Sequence, residues 1–101
     1  MTINKTFENG ILTLSFEGWF NTETAPEADP FIGNLDEGTE HLIFDFEKLE
    51  YISSAGLRKV AAAAKNARGI GADFKIINVG LAVMSVLKMT GFTNKFTIDA
   101  K

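Results

Sequence analysis

The sequence predicts an α/β domain: a small mixed β-sheet with helices packed mainly on one face, in the order β-β-α-β-α-β-α-β. Three observations carry this expectation. Apolar residues alternate on both sides of Asn9-Gly10, the pattern of an antiparallel hairpin. An apolar run at 41–46, a helical pattern from Ser54 and a second apolar run at 72–79 have the spacing of a right-handed parallel β-α-β unit. Finally, 101 residues suit one domain, residues 1–101. A chain of this length buries roughly two-thirds of its unfolded surface, so it folds without metal or disulfide.

The first strand is expected over Ile3 to Glu8 and the second over Ile11 to Phe20. Leu12, Leu14 and Phe16 alternate with Thr13, Ser15 and Glu17, the period of a half-buried strand. Gly18 permits a bulge or a close backbone approach. A helix follows, with Thr24 and Glu27 at the spacing of a capping box and Pro26 within the first turn. Pro30 predicts that this helix is short, shifted or interrupted. Phe31, Ile32 and Leu35 anchor the segment, and Asp36-Glu37-Gly38 ends it as a polar turn. His41 to Phe46 is apolar on both faces except at Asp45, which suits a central strand. His41 reads as a surface residue at the strand entry. Asp45 needs solvent or hydrogen-bond donors.

Ser54 to Arg68 is the clearest helix. Leu57, Val60, Ala61, Ala64 and Ala67 follow its period, with Arg58, Lys59, Lys65 and Asn66 around the remaining circumference. Gly69 reads as its C-terminal cap, and Gly71 follows the same turn logic. Ser53 or Ser54 supplies the N-cap oxygen. Another strand is expected over Ala72 to Val79. A shorter helix runs from Leu81 to Met89, burying Val83, Val86 and Leu87, with Met84 and Met89 as packing residues. Gly91 closes this helix, Phe92 packs across its end, and Phe96 and Ile98 mark a short final strand.

Composition excludes several kinds of chemistry. There is no cysteine, hence no thiolate nucleophile and no cysteine-ligated zinc, and the single histidine makes no histidine metal site. No metal and no cofactor are expected. No stretch approaches the roughly 20 apolar residues that span a bilayer, and the first residues lack the apolar region of a secretory signal. A cytoplasmic location with no membrane partner is the expectation. Charge is divided along the chain: residues 1–51 carry eleven acids and two bases, residues 52–101 two acids and eight bases. The bases are dispersed among apolar residues, so direct nucleic-acid binding is not expected. Either the two halves attract each other in the fold, or the asymmetry serves a polar protein-binding surface.

The chemistry-bearing stretch is Tyr51-Ile52-Ser53-Ser54-Ala55-Gly56-Leu57-Arg58. A strand-to-helix junction exposes hydroxyls together with unpaired backbone N–H groups. Three readings are open. One hydroxyl caps the helix while the other satisfies the strand end. Alternatively, one serine is a nucleophile, but no nucleophile elbow surrounds it and His41 is the only imidazole. In the third, one serine accepts a phosphate, which adds about −1.5 to −2 charge at a site where the helix dipole and backbone donors favour it. Gly56 either packs tightly inside or lets a partner approach the first turn. Arg58 is free to pair with a partner acid. No phosphate loop, dinucleotide fingerprint or carboxylate pair is present, so the chain is not expected to be an enzyme.

Three segments together resemble the STAS family, the sulfate transporter and anti-sigma-factor antagonist domains. They are Tyr51 to Arg58, Gly18-Trp19-Phe20-Asn21-Thr22-Glu23-Thr24-Ala25-Pro26-Glu27, and Leu87-Lys88-Met89-Thr90-Gly91-Phe92. The resemblance spans nearly the whole chain and implies a STAS-like fold of the kind already expected. It points to the antagonist branch, which binds an anti-sigma factor that is also a serine kinase. Phosphorylation weakens that capture, and a phosphatase restores it. By motif match Ser54 is the phosphoacceptor, with Ser53 the neighbouring alternative. Ser53 stands where phosphorylated members often carry Asp, and Asn21 also replaces a frequent Asp. The implied partner surface comprises Asn21, Thr22, Glu23, Thr24, Ser53, Ser54, Gly56 and Arg58. The alternatives are a non-phosphorylated STAS scaffold in another assembly and a STAS domain that binds a small ligand or lipid.

Overall fold

The computed structural model describes residues 1–101. Five strands form one sheet in the order β1-β2-β3-β4-β5. They are β1 (Thr2–Glu8), β2 (Ile11–Phe20), β3 (His41–Ile52), β4 (Asp73–Val79) and β5 (Thr97–Ala100). The first pair is antiparallel and the other three are parallel. Asn9 and Gly10 take φ of 52° and 78°, the two left-handed positions that a type I′ hairpin needs. The expected mixed α/β sheet is therefore the observed one.

The helices are α1 (Asp29–Ile32), α2 (Ser54–Gly69), α3 (Leu81–Met89) and α4 (Phe92–Lys95). The expected first helix is divided, with a 3-10 turn over Ala25–Ala28 running into the single turn α1. Proline explains the division. Pro30 has no N–H to donate to the Pro26 carbonyl, which takes the Asp29 N–H instead. The capping box also gives way: Thr24 precedes the 3-10 turn, but its side chain makes no cap bond. The one-turn α4 is an addition to the expected order. It starts after Gly91, whose φ of 79° turns the chain out of α3.

The core lies on one face of the sheet. Leu12, Leu14, Phe16 and Phe20 of β2 meet Leu42, Phe44, Phe46, Leu49 and Ile52 of β3, and Leu57, Val60, Ala63 and Ala67 of α2 cover them. Ala61 instead faces outward, and Ala63 takes the core position. Met84 packs against the core, whereas Met89, expected to pack, is 84% exposed. Gly69 is the last residue of α2, and the left-handed turn falls on Gly71 at φ 77°. The strand β3 runs six residues beyond the expected end at Phe46. Its pairing with β2 shifts after Ser15–Asp45 and again after Gly18–Leu49, so β3 carries two extra residues against β2. The inward residues then fall at Phe46, Leu49 and Ile52, which breaks simple alternation. These shifts place Tyr51 opposite Trp19 and Ile52 opposite Phe20, fixing the geometry of the junction that follows.

Candidate functional site

The double serine sits at the carboxyl end of β3, where parallel α/β sheets commonly hold their sites. Ser53 is the N-cap of α2, with extended backbone at φ −104° and ψ 179°. Its N–H donates to the Phe20 carbonyl at 2.9 Å, and its carbonyl accepts the Leu57 N–H at 2.9 Å. Ser53 is thus pinned between the end of β2 and the first turn of α2. Its hydroxyl makes no cap bond, and the Oγ atom is buried without a partner. Ser54, one residue on, is exposed. The two adjacent hydroxyls therefore differ sharply in access.

Gly56 explains how the helix approaches so closely. A Cβ there would lie 2.7 Å from the Phe20 carbonyl oxygen and 2.8 Å from Ile52 Cγ1. Gly56 is buried and faces the strand ends, so of its two readings the geometry carries internal packing. Arg58 is exposed and joins no ion pair. It lies four residues after Ser54, on the same face of α2.

The second half of the site is the turn after β2. Asn21 Oδ1 accepts the backbone N–H groups of Glu23 at 3.0 Å and Thr24 at 3.1 Å. The Thr24 hydroxyl donates to the Trp19 carbonyl at 2.7 Å and accepts the Asn21 N–H at 2.9 Å. These bonds satisfy the backbone that the bend frees from the sheet, so Asn21 and Thr24 build the turn. Thr22 and Glu23 are its exposed tip. A shallow cleft of about 350 Å³ brings together Asn21, Thr22, Glu23 and Ser53 with Trp19 and Tyr51. Ser54, Gly56, Arg58 and Thr24 do not line it.

The two aromatic residues belong to motifs noted in the sequence, but were not among the expected site residues. A signal was present in β2. Counting the inward phase from Leu12 through Leu14 and Phe16 to Phe20 leaves Trp19 pointing outward. A tryptophan on the solvent phase of a strand is informative where a buried one is not. Tyr51 gave no comparable signal, because the extra residues in β3 upset its phase.

Other polar groups lie away from the junction. Asp45 accepts the Glu47 N–H at 3.0 Å and the Asn78 side-chain N–H at 3.1 Å, which meets the expected need for donors. His41 opens β3 at the surface, with Nδ1 3.1 Å from Asp73 Oδ2. The largest depression, about 450 Å³, spans the amino ends of the parallel strands and includes Ile11, His41, Ile43, Asp73 and Lys75. It is at the opposite end of the sheet from the serines. No group of three or more His, Cys, Asp and Glu side chains gathers as a metal site, and no helix is long and apolar enough to cross a membrane.

Comparison with known proteins agrees with this fold. BtrV of Bordetella bronchiseptica, described as a candidate anti-sigma factor antagonist, is 29% identical over 91 residues, covering 89% of this chain and 78% of BtrV. An anti-sigma factor antagonist from Mycobacterium paratuberculosis has the same fold at a TM-score of 0.87 and 23% identity, over 99% of this chain and 86% of that one. The anti-sigma factor antagonist SpoIIAA superposes in its unphosphorylated form at a TM-score of 0.80, over 99% of this chain and 89% of SpoIIAA. Its phosphorylated form, the Bacillus cell fate determinant, gives 0.75 over 99% and 92%, and identity is 14% in both comparisons. The family model described as STAS domain matches residues 2–101. With the sheet order, the serine junction and a match over almost its full length, this chain belongs to the STAS domain family.

Proposed function

We propose that this chain is a cytoplasmic anti-sigma-factor antagonist that binds a serine-kinase anti-sigma factor and is switched by phosphorylation of Ser54. The supporting observation is the difference between the two hydroxyls: Ser54 is exposed at the start of α2, while the Ser53 Oγ is buried. It favours Ser54 over Ser53 as the acceptor. The chain acts here as a binding domain and kinase substrate, not as an enzyme. The partner kinase supplies ATP and magnesium. A bond forms from Ser54 Oγ to the γ-phosphorus as the bond to ADP breaks, and the hydroxyl proton passes to a base of the kinase. A phosphatase later hydrolyses the ester.

The switch works through charge. In the unmodified state Arg58 is unpaired and free to meet an acidic group on the partner. A phosphate on Ser54, one helical turn away on the same face, engages Arg58 and repels that acid. Like-charge juxtaposition at an interface costs several kcal/mol. The fold itself tolerates the phosphate, because backbone N–H groups and the dipole of α2 favour a negative charge there.

Incubating the chain with its anti-sigma kinase and ATP, then mapping phosphate by mass spectrometry, tests this reading. Phosphate is expected on Ser54 and absent from a Ser54→Ala chain. Ser54→Asp is expected to weaken binding about tenfold or more. A stable complex that leaves Ser54 unmodified would remove the phosphoswitch while keeping the binding role.

A further inference from the structure

Two rings end the uncovered face of the sheet at its carboxyl rim. Trp19 and Tyr51 are register partners across β2 and β3, with centroids 5.2 Å apart and planes at 42°. They are 55% and 43% exposed. Their core-facing neighbours Phe20 and Ile52 do the packing. Large aromatic surface left in water beside Asn21, Thr22, Glu23 and Ser53 of the expected partner surface has the composition of a binding hot spot.

The surroundings define what the rings receive. The Asn21–Glu23 turn rises beside them to form the 350 Å³ cleft already described. Its lining contains one charged group, the Glu23 carboxylate, which joins no ion pair. No Lys or Arg lines it. The Asn21 side-chain oxygen already accepts two backbone N–H groups. Beside the neutral polar groups of Asn21, Thr22 and Tyr51, the lining offers two π faces and a carboxylate, which together attract a cation.

We propose that this cleft docks a basic side chain of the anti-sigma-factor partner, arginine in preference to lysine. The inference rests on the proposed function and names the chemistry of its contact. A guanidinium is planar and weakly hydrated, so it stacks on Trp19 or Tyr51 while its N–H groups reach Glu23. The first half of the chain, which supplies the turn and both rings, is the acidic half. That excess draws a basic surface toward the cleft before contact.

Trp19 is the only tryptophan, so its emission reports on the cleft directly. The full chain is titrated with the anti-sigma factor it retains in affinity purification from its own cells. The emission of Trp19 is expected to shift on binding. Trp19→Ala and Tyr51→Ala are each expected to weaken the complex about tenfold or more, with urea midpoints close to that of the parent chain. Trp19→Phe should keep most of the affinity, and Glu23→Gln should flatten its salt dependence. Affinities within about twofold of the parent for both ring-to-alanine variants would overturn the inference and leave the proposed function standing. The same result, with emission that changes with the concentration of the chain alone, would assign the rings to self-association. Failure of the parent chain to retain any anti-sigma factor overturns both readings.

Discussion

Replacing Gly56 by alanine sets two opposed effects against each other. In an exposed helix interior the change stabilises by about 0.8–1.0 kcal/mol, because glycine loses the most backbone freedom on folding. At this position the new Cβ meets the Phe20 carbonyl oxygen at 2.7 Å, Ile52 Cγ1 at 2.8 Å and Phe20 Cγ at 3.0 Å. Neither neighbour can yield easily, since Phe20 is wholly buried and Ile52 is 2% exposed. The carbonyl oxygen is also backbone, fixed by the Ser53 N–H at 2.9 Å. Overpacking a tight core costs about 1–3 kcal/mol, and a backbone contact belongs to the upper part of that range. The net expectation is a loss of about 1–2 kcal/mol, or roughly 4–16 °C in Tm for a domain of this size. Urea unfolding followed by far-ultraviolet circular dichroism measures it, with an unchanged m-value as the control for two-state behaviour. A Gly56→Ala chain as stable as the parent, or more stable, would refute the claim that α2 is seated on the end of β2.

Removing the Ser53 hydroxyl should matter little to stability. An N-cap Ser→Ala change usually costs about 0.5–2 kcal/mol, but Ser53 makes no cap bond and its Oγ is unpartnered. Thermal unfolding of Ser53→Ala should therefore show a loss below about 0.5 kcal/mol, and a loss well above 1 kcal/mol would mean that the hydroxyl caps α2 in solution. Asn21→Ala should behave oppositely, because it strips an acceptor from two backbone N–H groups. The expected cost is about 1–2 kcal/mol, and hydrogen exchange should speed at Glu23 and Thr24 more than in β3.

The fold was legible where local chemistry and global packing agree. The Asn9-Gly10 turn, β2 and the start of α2 all follow from short-range signals that tertiary contacts reinforce. The interruption of the first helix was legible too, while the extension of β3 past Phe46 has as its cause a geometric constraint invisible to periodicity. Pro30 has no N–H to donate, so the hydrogen-bond ladder cannot continue through it, as its place in the sequence predicts. Glu47-Lys48-Leu49-Glu50 lies beyond the expected strand end at Phe46 and has one apolar residue, so no alternation extends the strand, yet the bulged pairing keeps it in the sheet. The site was legible in part for the same reason. Ser54 was singled out by the resemblance at a strand-to-helix junction and Arg58 by its place on the helix circumference, whereas the burial of the Ser53 hydroxyl depends on how β2 ends, a non-local fact. Asn21 and Thr24 were expected as contacts, and their hydrogen bonds add a role in building the turn.

The charge asymmetry of the chain bears on how such a surface would switch. Its two halves do attract each other locally, through Lys59 with Asp29 at 2.7 Å and Lys101 with Glu47 at 2.9 Å. Pairs this exposed contribute about 0–1 kcal/mol each, and they leave Glu23 and Arg58 unpaired. The asymmetry is therefore carried to the surface, and at the sheet's carboxyl rim it presents both signs: Arg58 on α2 and Glu23 in the cleft. A partner that meets both must offer an acid to one and a base to the other. In the proposed switch, phosphate on Ser54 would reverse the first site, one helical turn away, and leave a basic group in the cleft unopposed. Phosphorylation would then weaken capture without abolishing encounter, because the attraction that brings the partner in survives the modification. Salt dependence separates the two contributions: the association rate should fall with ionic strength in both forms of the chain, while the added loss on phosphorylation should appear mainly as faster dissociation. A phosphorylated chain whose association rate no longer responds to salt would mean that the two charges act as one site.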